Sequence, residues 1–190
     1  MISPNAAWET ALPANTTNES PTLYLTCGLP GSGKTTLAKE IERRAPALRL
    51  TGDEWLLDMF PHMTTREAET GPFRSRVERL QLATAMDVLG LARDVVLDWG
   101  IWSKEERDLL RTTARRAGAR VVLCLLDPPL DELWARVSAR NAEHPAGVFK
   151  MTRADLVRWS GLFQRPTPAE LALFDVWAPW WGEGLAKDRY

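Results

Sequence analysis

The sequence has little cysteine, little histidine, no long apolar run and no excess of charge of either sign. Its two cysteines, Cys27 and Cys124, both lie in apolar segments and form neither a disulfide framework nor a zinc spacing, so they read as buried thiols. The two histidines, His62 and His144, stand alone without ligand spacing and are assigned to the surface. The longest apolar run, Val121 to Leu126, falls far short of the roughly 18 residues a membrane span requires, which excludes a spanning helix. No basic residue precedes Lys34, so the N-terminus lacks the positive region of a secretory signal and a cytoplasmic location is expected. Lys+Arg 24 against Asp+Glu 25 gives a formal net charge of −1, which provides no field for attracting a polyanion. Nucleic acid is therefore not expected as the main partner, and charge and composition leave the oligomeric state undetermined.

What is present suffices for one core: 190 residues with 45% hydrophobic content match a single domain. Residues 1–21 are rich in Asn, Thr, Ala and Pro without hydrophobic period and are expected to form a disordered arm, leaving 22–190 as the domain. From there short apolar runs alternate with helical patterns. Strands are expected at Leu23–Cys27, Leu48–Thr51, Val95–Asp98 and Val121–Leu126. Val77, Leu80, Thr84, Val88 and Leu91 mark one long amphipathic helix from about Phe73 to Arg93. Ser103 with Glu106 opens a helix that stops at Gly118, and Arg107, Arg111 and Arg115 share a face of it that reads as solvated. Leu130–Asn141 is the next helix, Ala142–Met151 a loop, Thr152 to about Phe163 another helix, and Thr167-Pro168 starts a last one. Strands alternating with helices predict an α/β fold, a parallel sheet with helices on both faces.

Gly28-Leu29-Pro30-Gly31-Ser32-Gly33-Lys34-Thr35, followed by Thr36, satisfies G-x-x-x-x-G-K-[ST] between a strand and a helix, the pattern of a P-loop. Its glycines let backbone N–H groups turn inward on phosphates, the helix that begins there offers its positive end, and Lys34 adds a point charge. Thr35 is the expected hydroxyl ligand of Mg²⁺. Val95-Val96-Leu97-Asp98 has the apolar-run-then-Asp form of a second Mg²⁺ ligand, and Trp99 stands where many mechanical ATPases place a water-activating glutamate. Water-driven hydrolysis is accordingly disfavoured. Asp53, in Thr51-Gly52-Asp53-Glu54-Trp55, falls beyond the second strand on the crevice side of such a sheet, where it could accept a proton from an acceptor hydroxyl; the alternative is a mere helix-start charge. Trp55, Trp99 and Trp102 also fall just past strand ends and could wall an acceptor pocket.

These residues resemble the small P-loop kinases that phosphorylate hydroxyl groups, AAA-type ATP-binding proteins that include chloramphenicol phosphotransferase, zeta-toxin sugar-nucleotide kinases and polynucleotide 5'-kinases. The resemblance spans about Thr22 to Trp177. It implies a P-loop NTPase fold with ATP and Mg²⁺, Asp53 as general base, and a helical lid over about 130–163 carrying Arg136 and Arg140, one turn apart, to clamp the transferring phosphoryl group or cover the base of the nucleotide. Polynucleotide kinases carry an arginine shortly after the base, whereas here the third residue after Asp53 is Leu56. The expectation is an ATP-dependent kinase with a small-molecule hydroxyl acceptor. The alternatives are a polynucleotide or sugar-nucleotide kinase and a non-catalytic ATP-gated binding module.

Overall fold

A computed structural model describes residues 20–45, 47–143 and 148–175, so the expected N-terminal arm up to residue 19, and His144, lie outside the described residues. Chain order is β1 (Thr22–Cys27), α1 (Lys34–Arg44), β2 (Leu48–Leu50), α2 (Gly52–Met59), α3 (Thr65–Thr70), α4 (Phe73–Gly90), β3 (Val95–Leu97), α5 (Lys104–Arg116), β4 (Arg120–Leu125), α6 (Leu130–Glu143), α7 (Arg153–Leu162) and α8 (Pro168–Leu171). The strands form one sheet in the order β2-β3-β1-β4, parallel throughout, with Leu23 opposite both Val95 and Val121. Each begins and ends within one residue of its expected span. No described helix is long and apolar enough to cross a membrane.

Alternation along the strands divides the core. Leu23, Leu25, Val95, Leu97 and Val121 meet Ala85 and Leu89 of α4 and Leu110 and Ala114 of α5. The intervening Tyr24, Val96, Val122 and Cys124 meet Ala38 and Ile41 of α1 on the other face. Every residue of β1 is buried, as a central strand covered on both faces requires, and each fully buried leucine contributes about 1.5–3 kcal/mol. A third cluster lies beyond the strand ends, where Leu29, Leu56 and Val77 pack on Leu133 and Val137 of α6 and on Leu156 and Trp159 of α7. This cluster holds α6 and α7 against the phosphate-loop end of the sheet.

Local signals explain most boundaries. Thr152 and Asp155 form a reciprocal capping box at α7, the Ser103 hydroxyl accepts from Glu106 N at α5, and Gly118 takes a left-handed φ of 79° after α5. Two features depart from the expectations. The buried stripe of α4 is Val77, Gln81, Ala85 and Leu89, while Leu80 and Leu91 are exposed. Gln81 can occupy the core because its Oε1 accepts the indole N–H of Trp99 at 2.8 Å. The short α3 was not expected, since six residues are too few to display a helical period; its Thr64–Glu67 capping box was its only sequence signal.

Candidate functional site

The phosphate loop runs from β1 into α1 and needs glycine at two positions for steric reasons. A Cβ on Gly28 would lie 2.2 Å from the Leu126 carbonyl oxygen, and one on Gly31, whose φ is 83°, would lie 2.9 Å from the Leu133 carbonyl oxygen of α6. α6 thus rests directly on the loop. Lys34 Nζ donates to the Leu29 carbonyl at 2.8 Å, curling the side chain back over the loop. Burial pulls its ammonium down to about 8, opposed by the nearby carboxylates of Asp98 and Asp53. Ser32 Oγ is buried with no hydrogen-bond partner among the described residues, as a hydroxyl waiting for a phosphate oxygen would be.

Asp98 follows β3 with its side chain 2% exposed. Burial pushes its carboxyl up, while the Thr35 hydroxyl, the Lys34 ammonium and the Arg49 guanidinium pull it back. Arg49, on edge strand β2, reaches Asp98 at 3.4 Å and Glu54 at 2.9 Å and so ties two strand ends together. No group of three or more His, Cys, Asp or Glu among the described residues could hold a metal by itself. A hydroxyl and one carboxylate beside a phosphate loop instead suit Mg²⁺, which keeps several waters and completes its shell with phosphate oxygens.

Asp53 sits in the first turn of α2 and accepts a hydrogen bond from Arg74 Nη2 of α4 at 2.7 Å. Glu78, one turn along α4, lies 3.7 Å from the same guanidinium. Burial raises the Glu78 carboxyl from 4.5 to about 7 despite Arg74. A group raised in the folded state contributes stability below its unfolded value and loses it as pH climbs through the folded one. Glu78→Gln should therefore melt above the wild type by several degrees at pH 8, on the order of 1–3 kcal/mol, and show little difference at pH 4.5. Thermal melts at the two pH values check this, and a difference that does not change with pH would contradict the burial argument.

Lys34, Thr35, Asp53, Asp98, Arg136 and Arg140 all line one cavity of about 930 Å³. So do Pro30, Gly31, Gly33 and Thr36, whereas Leu29 points into the third core cluster and its backbone carbonyl serves Lys34. Arg136 donates to the Gly31 carbonyl at 3.3 Å and pairs with Glu132 on its own helix. Arg140 is held down by burial, with Asp53 opposing, and its Nε has no partner among the described residues.

The three tryptophans separate. Trp102 lines the cavity and its indole N–H donates to the Gly28 carbonyl at 3.1 Å. Trp99 touches the cavity but turns its N–H into the core toward Gln81. Trp55 is 39% exposed and is not among the cavity residues. Two residues past Asp53 means about 200° around a helix, so α2 points one of them inward and the other outward. Trp159 of α7, its ring 5.8 Å from that of Trp102, takes the expected place of Trp55 in the wall. Arg74, Glu78, Glu106, Phe149 and Trp159 are among the cavity residues that sequence reasoning missed. The arginine face of α5 also needs correction: Arg115 is exposed and Arg111 half-buried, but Arg107 is wholly buried in an ion pair with Glu170.

A family model described as an AAA domain matches residues 23–166, and no curated protein matches the sequence. Among solved structures, a chain of the Pnkp1/Rnl/Hen1 RNA repair complex superposes with a TM-score of 0.62 at 23% identity, covering 76% of this chain and 44% of that one. Chaetomium thermophilum Kti12 in complex with ADP-AlF3 gives 0.57 at 21% identity over 77% of this chain and 82% of its own. Mycobacterium tuberculosis APS kinase CysC in complex with AMPPNP and APS gives 0.54 at 20% identity over 77% and 84%. This chain thus spans less than half of the RNA repair chain. The match over residues 23–166, on a parallel α/β sheet with its glycine loop after β1, places the chain in the AAA domain family with the fold of the P-loop kinases.

Proposed function

We propose that this protein is an ATP-dependent, Mg²⁺-requiring kinase that transfers the γ-phosphoryl group of ATP to a hydroxyl of a small molecule. The observation that carries the reading is the convergence of Lys34, Thr35, Asp98, Asp53, Arg136 and Arg140 on one cavity. The loop amides, Ser32 and Lys34 bind the phosphates of ATP. Thr35 and Asp98 would hold Mg²⁺, which neutralises phosphate charge when bound. Asp53, oriented by Arg74, accepts the proton of the acceptor hydroxyl as its oxygen bonds to the γ-phosphorus. The bond from that phosphorus to the bridging oxygen breaks, and ADP leaves with the electron pair. Arg136 and Arg140 supply positive charge to the phosphoryl oxygens in transit, which spares the enzyme an arginine from a partner. Trp99, which follows Asp98, turns its indole into the core, so the position where mechanical ATPases activate water carries no carboxylate.

The acceptor end supports a small molecule over a nucleic-acid strand. Trp102, Trp159 and Phe149 offer flat apolar faces in the cavity wall, suited to the ring or sugar face of a small acceptor. We assign the lid to 130–163, the domain to 22–190 and the protein to the cytoplasm, where ATP is supplied. Incubation with Mg-ATP and a broad panel of metabolites, nucleosides, sugars and antibiotics, with 5'-hydroxyl oligonucleotides and sugar nucleotides alongside, read by product mass, should give one small-molecule class gaining a single phosphate. Phosphate found only on 5'-hydroxyl oligonucleotides or sugar nucleotides would overturn the small-molecule acceptor, and unchanged ATP across the panel would make this an ATP-gated binding module.

A further inference from the structure

We infer that Arg107 is a positioning residue of the nucleotide site, clamping the segment Gly100–Trp102 against the first glycine of the phosphate loop. The inference rests on reading that loop as the nucleotide site. The clamped segment is strained. Ile101 has a φ of 45° and is 2% exposed, and a β-branched residue in that region persists only where its surroundings over-determine it. Its carbonyl accepts from Arg107 Nη1 at 3.3 Å and from the Cys27 thiol at 3.3 Å. The next carbonyl, of Trp102, accepts from Arg107 Nη1 at 3.0 Å and from Gln164 N at 3.0 Å.

The strain has a use, because the left-handed turn at Ile101 brings the Trp102 ring back beneath the loop. A Cβ on Gly100 would lie 2.7 Å from Trp102 Nε1, so only glycine there leaves room for the ring. From this position the indole N–H donates to the Gly28 carbonyl at 3.1 Å, while Gly28 N donates to the Gly100 carbonyl at 3.1 Å. Both backbone groups of Gly28 are thus held by the segment that Arg107 grips.

Arg107 uses its whole donor set for this. Nε and Nη2 bind Glu170 at 2.6 and 3.2 Å, Nη2 also binds the Gln164 carbonyl at 2.8 Å, and Nη1 takes both carbonyls of the strained turn. A guanidinium presents five N–H groups in a fixed fork, and these bonds occupy all of them. Lysine would retain the charge facing Glu170 but could not bridge three carbonyls and a carboxylate. One side chain on α5 therefore joins the end of α7, the start of α8 and the entrance to the phosphate loop.

The test is a double-mutant cycle read on Mg-ADP affinity by calorimetry in the full chain, with melting temperatures alongside. Trp102→Phe keeps an aromatic ring but loses the pyrrole part of the indole with the N–H that reaches Gly28, and should weaken Mg-ADP binding about 2- to 10-fold, the range of one hydrogen bond. Arg107→Lys should weaken it at least as much, and the double variant should be no weaker than Arg107→Lys alone within about twofold, because both act through one contact. Glu170→Gln, which loosens the clamp from its other end, serves as the second variant and should show the same non-additivity with Trp102→Phe if Arg107→Lys does not fold. A lowered melting temperature with wild-type Mg-ADP affinity in either clamp variant would make Arg107 structural only and overturn the inference, as would losses that simply add. If the wild type itself binds no Mg-ADP, the nucleotide reading fails and takes this inference with it. Equal binding by wild type and variants removes the positioning role alone.

Discussion

Lys34→Ala should cost the protein most of its affinity for ATP. The ammonium lies in the cavity among loop amides, with Asp98 and Asp53 as its nearby carboxylates, and a polyphosphate entering that cavity meets it as the loop's own fixed positive charge. Hydrogen bonds to charged groups contribute about 1.5–3 kcal/mol each, so its removal should raise the Kd roughly 10- to 150-fold. A ligand that binds only the folded state stabilises it by mass action, by about 2.7 kcal/mol at a hundred times its Kd. For a chain of this size that corresponds to a rise of roughly 5–10 °C in Tm for the wild type, and to about 1–2 °C for a variant weakened a hundredfold at the same ATP concentration. The wild-type shift should also shrink when Mg²⁺ is chelated, because Thr35 and Asp98 are the proposed holders of the ion that neutralises the phosphates. Melting curves of both proteins with and without Mg-ATP decide the matter. The ATP-free curves correct for the lost Lys34–Leu29 hydrogen bond. Equal protection of wild type and variant would remove the loop from the nucleotide site.

What could be read in advance followed from how local each determinant is. The phosphate loop was legible because the residues that answer its constraints follow one another in the chain: only glycine fits against the Leu126 carbonyl, and that requirement, imposed from a distant strand end, appears in the sequence as Gly28 itself. β1, β3 and β4 were legible because they are largely buried and so run mostly apolar, whereas edge strand β2 is only part-buried and carries Arg49 between its two leucines. The stripe of α4 was misread by one position because leucine outranks glutamine on any hydrophobic scale, yet Gln81 finds its own partner in Trp99, just past β3 and 18 residues away in sequence. Arg74 reaches Asp53 across 21 residues and Trp159 of α7 meets Trp102, which precedes α5, pairings that no local period encodes. Arg107 shows the same limit most clearly. Its spacing with Arg111 and Arg115 describes a solvated helix face, and only the arrival of Glu170, 63 residues later, turns that part of the face into core. A sequence pattern therefore located the glycine-loop half of the cavity, while the rest of its wall was assembled by contacts between distant segments.

Asp53→Asn should separate catalysis from binding in the same cavity. Asparagine keeps the size of the side chain and an oxygen able to accept from Arg74 Nη2, so the start of α2 and its tie to α4 should survive, and ATP affinity with them. What it removes is the carboxylate proposed to take the acceptor's proton. General-base contributions are typically about 10²- to 10⁴-fold in kcat. Phosphoryl transfer through a loose transition state moves the proton late, and the Arg74 guanidinium at 2.7 Å competes for the same carboxylate, so the lower end of that range is the expected loss. Glu54→Gln is the control, because Glu54 neighbours Asp53 in the same first turn but is bound by Arg49 at 2.9 Å, and it should change kcat by far less than tenfold. Initial rates with the acceptor found in the screen, together with calorimetric ATP affinities, give both quantities for each variant. An Asp53→Asn protein that turns over at the wild-type rate would reduce Asp53 to a helix-start charge paired with Arg74, and transfer would then have to proceed with the acceptor hydroxyl giving its proton directly to a phosphoryl oxygen.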